Sequence, residues 1–306
     1  MTKVDLITGF LGSGKTTFIK KYVDYLINQG YKVGIIENDF GAVNVDMMLL
    51  QELEDKDCVV EMVAGGDSSC HHRRLKTKLI AMALRRLDYV IIEPSGIFDV
   101  EEFYDVLNEE PLSNWYEIGN IISLVEATIE YNISKEANDL LISQIATAGK
   151  VILSKVDLCN EETINKTISF INSGLNSYEL NNVNSKLLIK SINDLDDNDF
   201  KELSTCSYVT QSIKKISFKE DEIFQSLYYM NNRFDVLLFL DRINKIFKDI
   251  DCGKVLRVKG FYMLDDEWYE LNLTSKSKTI NKIANGQNVI IVLGENLNKE
   301  KIDTYF

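Results

Sequence analysis

The chain has no run of about eighteen apolar residues, so no transmembrane helix is expected. Positive charge is also in short supply. Lys and Arg number 34 against 47 Asp and Glu, for a net charge of −13. That balance speaks against a nucleic-acid-binding surface, which would be basic; a nucleotide pocket needs positive groups only locally. The cysteines are few, scattered and odd in number (Cys58, Cys70, Cys159, Cys206, Cys252), which excludes a disulfide framework and makes a reducing cytoplasm the expected compartment. The N-terminus enters a strand almost at once, leaving no room for a signal peptide. Only two prolines and two histidines occur, and the histidines are adjacent, His71 and His72. Against these scarcities, 45% of the 306 residues are apolar, enough for a sizeable core in one large domain or two ordinary ones.

The most informative stretch is Gly9-Phe10-Leu11-Gly12-Ser13-Gly14-Lys15-Thr16-Thr17. It has the form G-x-x-x-x-G-K-[ST] of a phosphate-binding loop. Residues 4–8 before it read as a buried strand. After it, Ile19, Val23, Leu26 and Ile27 recur at helical spacing, with Gly30 as the stop. Glycines let backbone N–H groups wrap phosphate oxygens, and the new helix turns its positive end toward the anion. Lys15 is placed to reach the β- and γ-phosphates, and the Thr16 hydroxyl to ligate Mg²⁺.

Further strands are expected at residues 32–36, 58–63, 89–92, 120–125 and 151–153, with helices after residue 74 and over 135–147. This alternation predicts an α/β, P-loop NTPase fold with a mostly parallel sheet covered on both faces. Beyond about residue 180, asparagine, serine and lysine become frequent and the alternation stops. An amphipathic helix near residues 236–247, a hairpin around residues 265–267, a strand at 288–293 and a short terminal helix predict a smaller α+β domain. The expected division is 1–180 and 181–306.

Two later motifs narrow the nucleotide. Residues 89–92 run into Glu93-Pro94-Ser95-Gly96. A carboxylate there can hold Mg²⁺ through water, and the Gly96 N–H can report on the γ-phosphate. Ser154-Lys155-Val156-Asp157 follows another strand and is similar to the guanine motif N-K-x-D, with Ser for Asn. An Asp there accepts from the ring N–H and exocyclic amine of guanine, a donor pair adenine lacks, while the Lys stem lies along the base. The three motifs in this order favour a GTPase.

Together with Glu37-Asn38-Asp39-Phe40-Gly41, these residues resemble the CobW-like family of P-loop GTPases, which act as metallochaperones and metalloenzyme activators. Leu256-Arg257-Val258-Lys259-Gly260-Phe261 and Leu293-Gly294-Glu295-Asn296-Leu297 look like that family's C-terminal domain. The resemblance implies a slow, Mg²⁺-dependent GTPase whose GTP or GDP state is coupled to metal or to a client metalloprotein. Gly9, Gly12, Ser13, Gly14, Lys15, Thr16 and Thr17 would surround the phosphates. Thr16 would bind Mg²⁺ directly, and Glu93 and Asp39 through water. Asp39, Asp46 and Glu93 are the candidates to orient the attacking water, and the sequence does not choose among them. No glutamine follows Gly96 closely, so intrinsic hydrolysis should be slow. Segments 38–46 and 65–74 would be switches set by the γ-phosphate.

The family's C-x-C-C metal motif corresponds here to Gly66-Asp67-Ser68-Ser69-Cys70, where only one thiol remains. Asp67, Cys70, His71, His72 and Glu37 together offer a mixed site for Zn²⁺, Co²⁺ or Fe²⁺. Two other readings stand beside it. Cys70 can be a buried apolar residue with the histidines starting a helix, or Arg73, Arg74, Lys76 and Lys78 can meet an anion or acidic client. For the whole chain the rival functions are a GTPase chaperone of a cofactor-dependent enzyme such as a corrinoid enzyme, a small-molecule kinase, and a nucleotide-gated binding module.

Overall fold

A computed structural model describes residues 1–39, 53, 58–64, 68–94, 100–210, 224–230, 236–264, 266–283, 286 and 288–306. They fall into two compact units, one ending at residue 210 and the other running from 224 to Phe306. The α/β reading holds. Seven strands lie in the order β3-β2-β4-β1-β5-β6-β7, all parallel. They are β1 (Thr2–Gly9), β2 (Val33–Asp39), β3 (Val59–Ala64), β4 (Tyr89–Pro94), β5 (Tyr116–Glu126), β6 (Lys150–Ser154) and β7 (Leu187–Ile189). Every residue of β4 is buried, as are residues 4–9 of β1. Successive strand residues point to opposite faces, so both faces of the sheet are covered.

Helices lie between the strands. Helix α1 (Lys15–Asn28) buries Phe18, Ile19, Tyr22, Val23 and Leu26, and Gly30 closes it at φ 88°, donating its N–H to Ile27 O. It is followed by α2 (Ser68–Ala83), α3 (Val100–Asn108), α4 (Lys135–Thr147) and α5 (Glu161–Ser177). Helix α4 starts where Ser134 Oγ accepts the Ala137 N–H, and α5 where the Asn160 side chain accepts that of Thr163. A buried polar knot fastens the middle of β1. Asp5 accepts from Tyr22 Oη at 2.7 Å and from the Asn120 N–H at 2.7 Å. Burial pushes the Asp5 carboxyl above its ordinary value, against the opposing pull of those hydrogen bonds.

The first unit continues past residue 180, where the texture of the sequence changes. Strand β7 adds to the sheet, and α6 (Asp197–Leu203) sets Phe200 against the rings of Phe18, Tyr22 and Tyr25 on α1. The chain then returns to the end of α4, where the Val209 N–H donates to Thr147 O. Apolar burial against α1 outweighs a polar composition here.

The second unit holds a five-stranded antiparallel sheet, ordered β11-β10-β9-β12-β8. Its strands are β8 (Phe224–Met230), β9 (Lys254–Leu264), β10 (Glu267–Leu273), β11 (Lys278–Ile283) and β12 (Val289–Glu295). Helices α7 (Val236–Ile246) and α8 (Lys299–Asp303) complete it. Phe239, Ile243 and Ile246 pack with Val258, Tyr262, Leu271, Ile290 and Val292 into one core. The two stretches that resemble the family's C-terminal domain are neighbours in space, Leu293 lying opposite Arg257. Further along the same pair of strands Gly260 is required, since a Cβ there would sit 2.0 Å from Val289 O. Among the described residues, no helix is long and apolar enough to cross a membrane.

Candidate functional site

The loop from β1 to α1 is shaped by glycines. Gly12 and Gly14 have φ of 83° and 95°, which favour glycine. A Cβ on Gly9 would come within 2.3 Å of Leu124 O, and one on Gly14 within 2.9 Å of Ile192 Cδ1. The Ser13 N–H donates to Phe10 O at 3.2 Å, closing the turn. Lys15 is buried, and its Nζ donates to Gly9 O at 3.0 Å, so a cation lies folded against the loop. Thr17 is exposed on the first turn of α1, a turn without acidic residues. The helix end therefore presents its N–H groups and dipole to an anion with no competing carboxylate on that turn.

Acidic groups gather next to this loop. Thr16 Oγ1 donates to Glu93 Oε1 at 2.8 Å, bringing together two residues 77 positions apart. Glu93 lies one residue before the end of β4 and is register partner to Glu37 on β2; both are buried, at 4% and 2% exposure. A hydroxyl and a carboxylate converging beside the lysine are hard oxygen donors of the kind Mg²⁺ takes.

The end of β6 is tied to the same loop. Ser154 Oγ donates to Ser13 O at 2.7 Å, with Val125 O at 3.3 Å. The hydroxyl thus ties the end of β6 to the glycine-rich loop. Lys155 has a left-handed backbone, φ 56°, and its Nζ lies 3.0 Å from Glu126 Oε2. Asp157 stands exposed in the short turn that follows. Cys159 is held nearby, its Sγ donating to Val156 O, and burial followed by the Asp157 and Glu126 carboxylates pushes its thiol up. Cys58, Cys159, Cys206 and Cys252 are not joined by disulfides.

Two parts of this arrangement escape sequence reasoning. One is Glu126, an acid closing an apolar strand in the same pattern as Glu93. The other is the turn after β7, where buried Ile192 sits beside Gly14 and Asn193 O accepts from Lys21 Nζ. The three-residue strand before that turn is too short to signal it.

The remaining candidates are less gathered. Asp46, Asp67 and Gly96 lie outside the described residues, as do the side chains of Asp39, Cys70 and His71. His72 is described, and its Nε2 lies 2.9 Å from Glu109 Oε1, at the end of α3. Lys76 pairs with the same carboxylate, and these two partners, Lys76 foremost, hold Glu109 below the usual carboxylate range. Among the described residues no group of three His, Cys, Asp or Glu is placed to hold a metal ion.

Known proteins were compared with the chain. It is 25% identical to the zinc chaperone YjiA of Escherichia coli over 86% of this chain and 82% of that one. It is 29% identical to the zinc-regulated GTPase metalloprotein activator 1 of Dictyostelium discoideum, over 66% of this chain and 50% of that protein. With the zinc chaperone CobW of Pseudomonas aeruginosa it shares 24% identity over 53% of this chain, again spanning 50% of the relative. A crystal structure of Zn(II)-bound YjiA GTPase from E. coli overlays with a TM-score of 0.43 at 18% identity, covering 100% of this chain and 98% of that one. That overlay is too loose to place side chains. The model of the CobW/HypB/UreG nucleotide-binding domain matches residues 3–178, and the chain therefore belongs to the CobW/HypB/UreG family.

Proposed function

We propose that this protein binds and hydrolyses GTP with Mg²⁺ and couples its nucleotide state to metal delivery or to maturation of a metalloenzyme. The observation that carries the reading is the meeting of Thr16 with Glu93 beside Lys15, on a loop that Ser154 ties to the guanine-type motif. Phosphate chemistry and base recognition thereby share one scaffold. The names of the relatives, zinc chaperones and a zinc-regulated GTPase activator, agree with it.

In this reading the backbone of Gly9, Gly12, Ser13 and Gly14, with Thr17, binds the phosphates. Lys15 leaves Gly9 O and moves onto the β- and γ-phosphates. Thr16 directly, with Glu93 and Asp39 through water, would hold Mg²⁺, which when bound would supply positive charge beside the phosphates. Asp157 selects guanine, Lys155 supports the base, and Gly96 senses the γ-phosphate. Asp39, Asp46 and Glu93 remain the candidates to orient water. The metal is cargo, held by Cys70 with Asp67, His71, His72 or Glu37, and segments 38–46 and 65–74 respond to the nucleotide. The unit that ends at residue 210, with β7 and α6 carrying it past residue 180, is the nucleotide domain, and the unit from residue 224 to Phe306 is the family's C-terminal domain. The site of action is the cytoplasm.

A second reading, a GTPase chaperone of a cofactor-dependent enzyme with no metal of its own, is favoured by one observation. Asp67 and Ser69 stand where the family's motif has thiols, and His72 is engaged by Glu109. The test for the shared core is phosphate release from GTP and from ATP with Mg²⁺ and no acceptor. Slow release from GTP and little from ATP is expected. Release from ATP alone, or none from GTP even with excess Mg²⁺, contradicts the reading. Equilibrium dialysis of wild type and Cys70→Ala with Zn²⁺, Co²⁺ and Fe²⁺ then separates the two versions.

A further inference from the structure

We infer that Glu126 is a positioning residue for guanine recognition: it holds Lys155, and through Lys155 the turn that carries Asp157. The inference rests on the proposed guanine reading of residues 154–157. Glu126 closes β5 and is register partner to Ser154, which closes β6. Its carboxylate uses both oxygens. Oε2 lies 3.0 Å from Lys155 Nζ, and Oε1 accepts from Thr128 Oγ1. The pair is largely shielded from water, with the Glu126 side chain 9% and the Lys155 side chain 20% exposed. It is therefore unlike an exposed surface pair, whose net worth is small.

The backbone explains why such a tether matters. Lys155 has φ 56°, a conformation that non-glycine residues hold only when their surroundings impose it. The chain is fixed just before it by two bonds, Ala127 N–H to Ser154 O at 2.9 Å and Ser154 Oγ to Ser13 O at 2.7 Å. It is fixed just after it by the turn at residues 156–158. With its backbone set at one end and its Nζ held by Glu126 at the other, the four-carbon stem of Lys155 is stretched between two anchors. A stem so held is a ready apolar ledge for a purine face, and Asp157, two residues on, is set at a fixed place beside it. Without the carboxylate the lysine is free to swing, and the turn loses its tether.

An ordinary staple between two strand ends would have the same contacts, so the test must read base recognition itself. Affinities for GDP, ADP and inorganic pyrophosphate are measured for wild type, Glu126→Gln, Lys155→Ala and the double variant, by titration of nucleotide-free full-length protein. Glu126→Gln is expected to weaken GDP by roughly 10- to 100-fold, within the range of couplings between residues of one ion-pair network, with ADP weakened less and pyrophosphate unchanged. Adding Glu126→Gln to Lys155→Ala is expected to cost nothing further, because Glu126 acts through the lysine. If Glu126→Gln does not fold, Thr128→Ala carries the test: it leaves both charges in place, frees the carboxylate, and should lower the GDP-over-ADP preference by about threefold, the worth of one ordinary hydrogen bond. An unchanged preference in these variants, equal losses for all three ligands, or additive losses in the double variant overturn the inference while leaving the guanine reading intact. A wild type with equal affinity for GDP and ADP overturns both.

Discussion

The two units of this chain use glycine for different ends. In the first, Gly9, Gly12 and Gly14 open a loop at the end of a parallel sheet so that backbone N–H groups and the start of α1 are available to a ligand. In the second, Gly260 lets neighbouring antiparallel strands lie close, with Val289 O where a Cβ would stand. The charged groups divide the same way. Lys15 is folded onto Gly9 O and Thr16 donates to buried Glu93, whereas ion pairs of the second unit such as Lys282–Glu267 and Lys299–Asp303 lie on its surface.

The largest expected break in that contrast comes from Lys15→Ala. It should lower phosphate release from GTP by on the order of 10³-fold, as loss of a principal charge-stabilising group does, while the melting of the protein barely moves. Melting that collapses with activity would mean that Lys15 is there for the fold. Gly260→Ala should do the reverse. It should cost about 3 kcal/mol of stability through overpacking against Val289, with GDP affinity retained in the protein that stays folded. Denaturant unfolding and GDP titration of the same sample check this, and a variant as stable as wild type contradicts it. Ser154→Ala, which removes the donor to Ser13 O, should weaken GDP by about fivefold, or about 1 kcal/mol.

The smallest effect is a pH dependence in the second unit. Asp249 accepts from Tyr305 Oη and from the Asp251 N–H and pairs with Lys301, and these contacts, the Tyr305 bond foremost, hold its carboxyl below the ordinary value of 3.8. A lowered carboxylate stabilises the fold above its unfolded value, and the benefit is lost as pH falls through the folded value. Wild type should therefore be more stable than Asp249→Asn at pH 7, and the gap should close below about pH 4. Chemical unfolding at both pH values measures it; a gap that persists at low pH would contradict this account of Asp249.

What was legible in the sequence follows from how locally each feature is determined. Helix α4 was expected over 135–147 and is found there, because Ser134 caps its start and the apolar stripe ends with the helix. The phosphate loop and Glu93 were legible because the chemistry fixes both residue type and spacing. Strands β8 and β11 were not, since Phe224-Gln225-Ser226-Leu227 and Lys278-Thr279-Ile280-Asn281 are half polar and lie at the sheet edges. The boundary at residue 180 followed composition, whereas Phe200 answers to the rings of α1, far away in sequence. Glu126 and Ile192 were missed for the same reason: each matters through a partner on another strand end, a pairing that only the sheet order reveals.

The central claim is that nucleotide state governs the handling of metal. It is tested most directly by the affinity for Zn²⁺, read by competition with a chromophoric chelator, with Mg²⁺ and either GDP or a non-hydrolysable GTP analogue present. The proposed coupling predicts affinities that differ by about tenfold or more between the two states, the size of an ordinary coupling between two sites. Equal affinities, or no Zn²⁺ bound in either state, would contradict it.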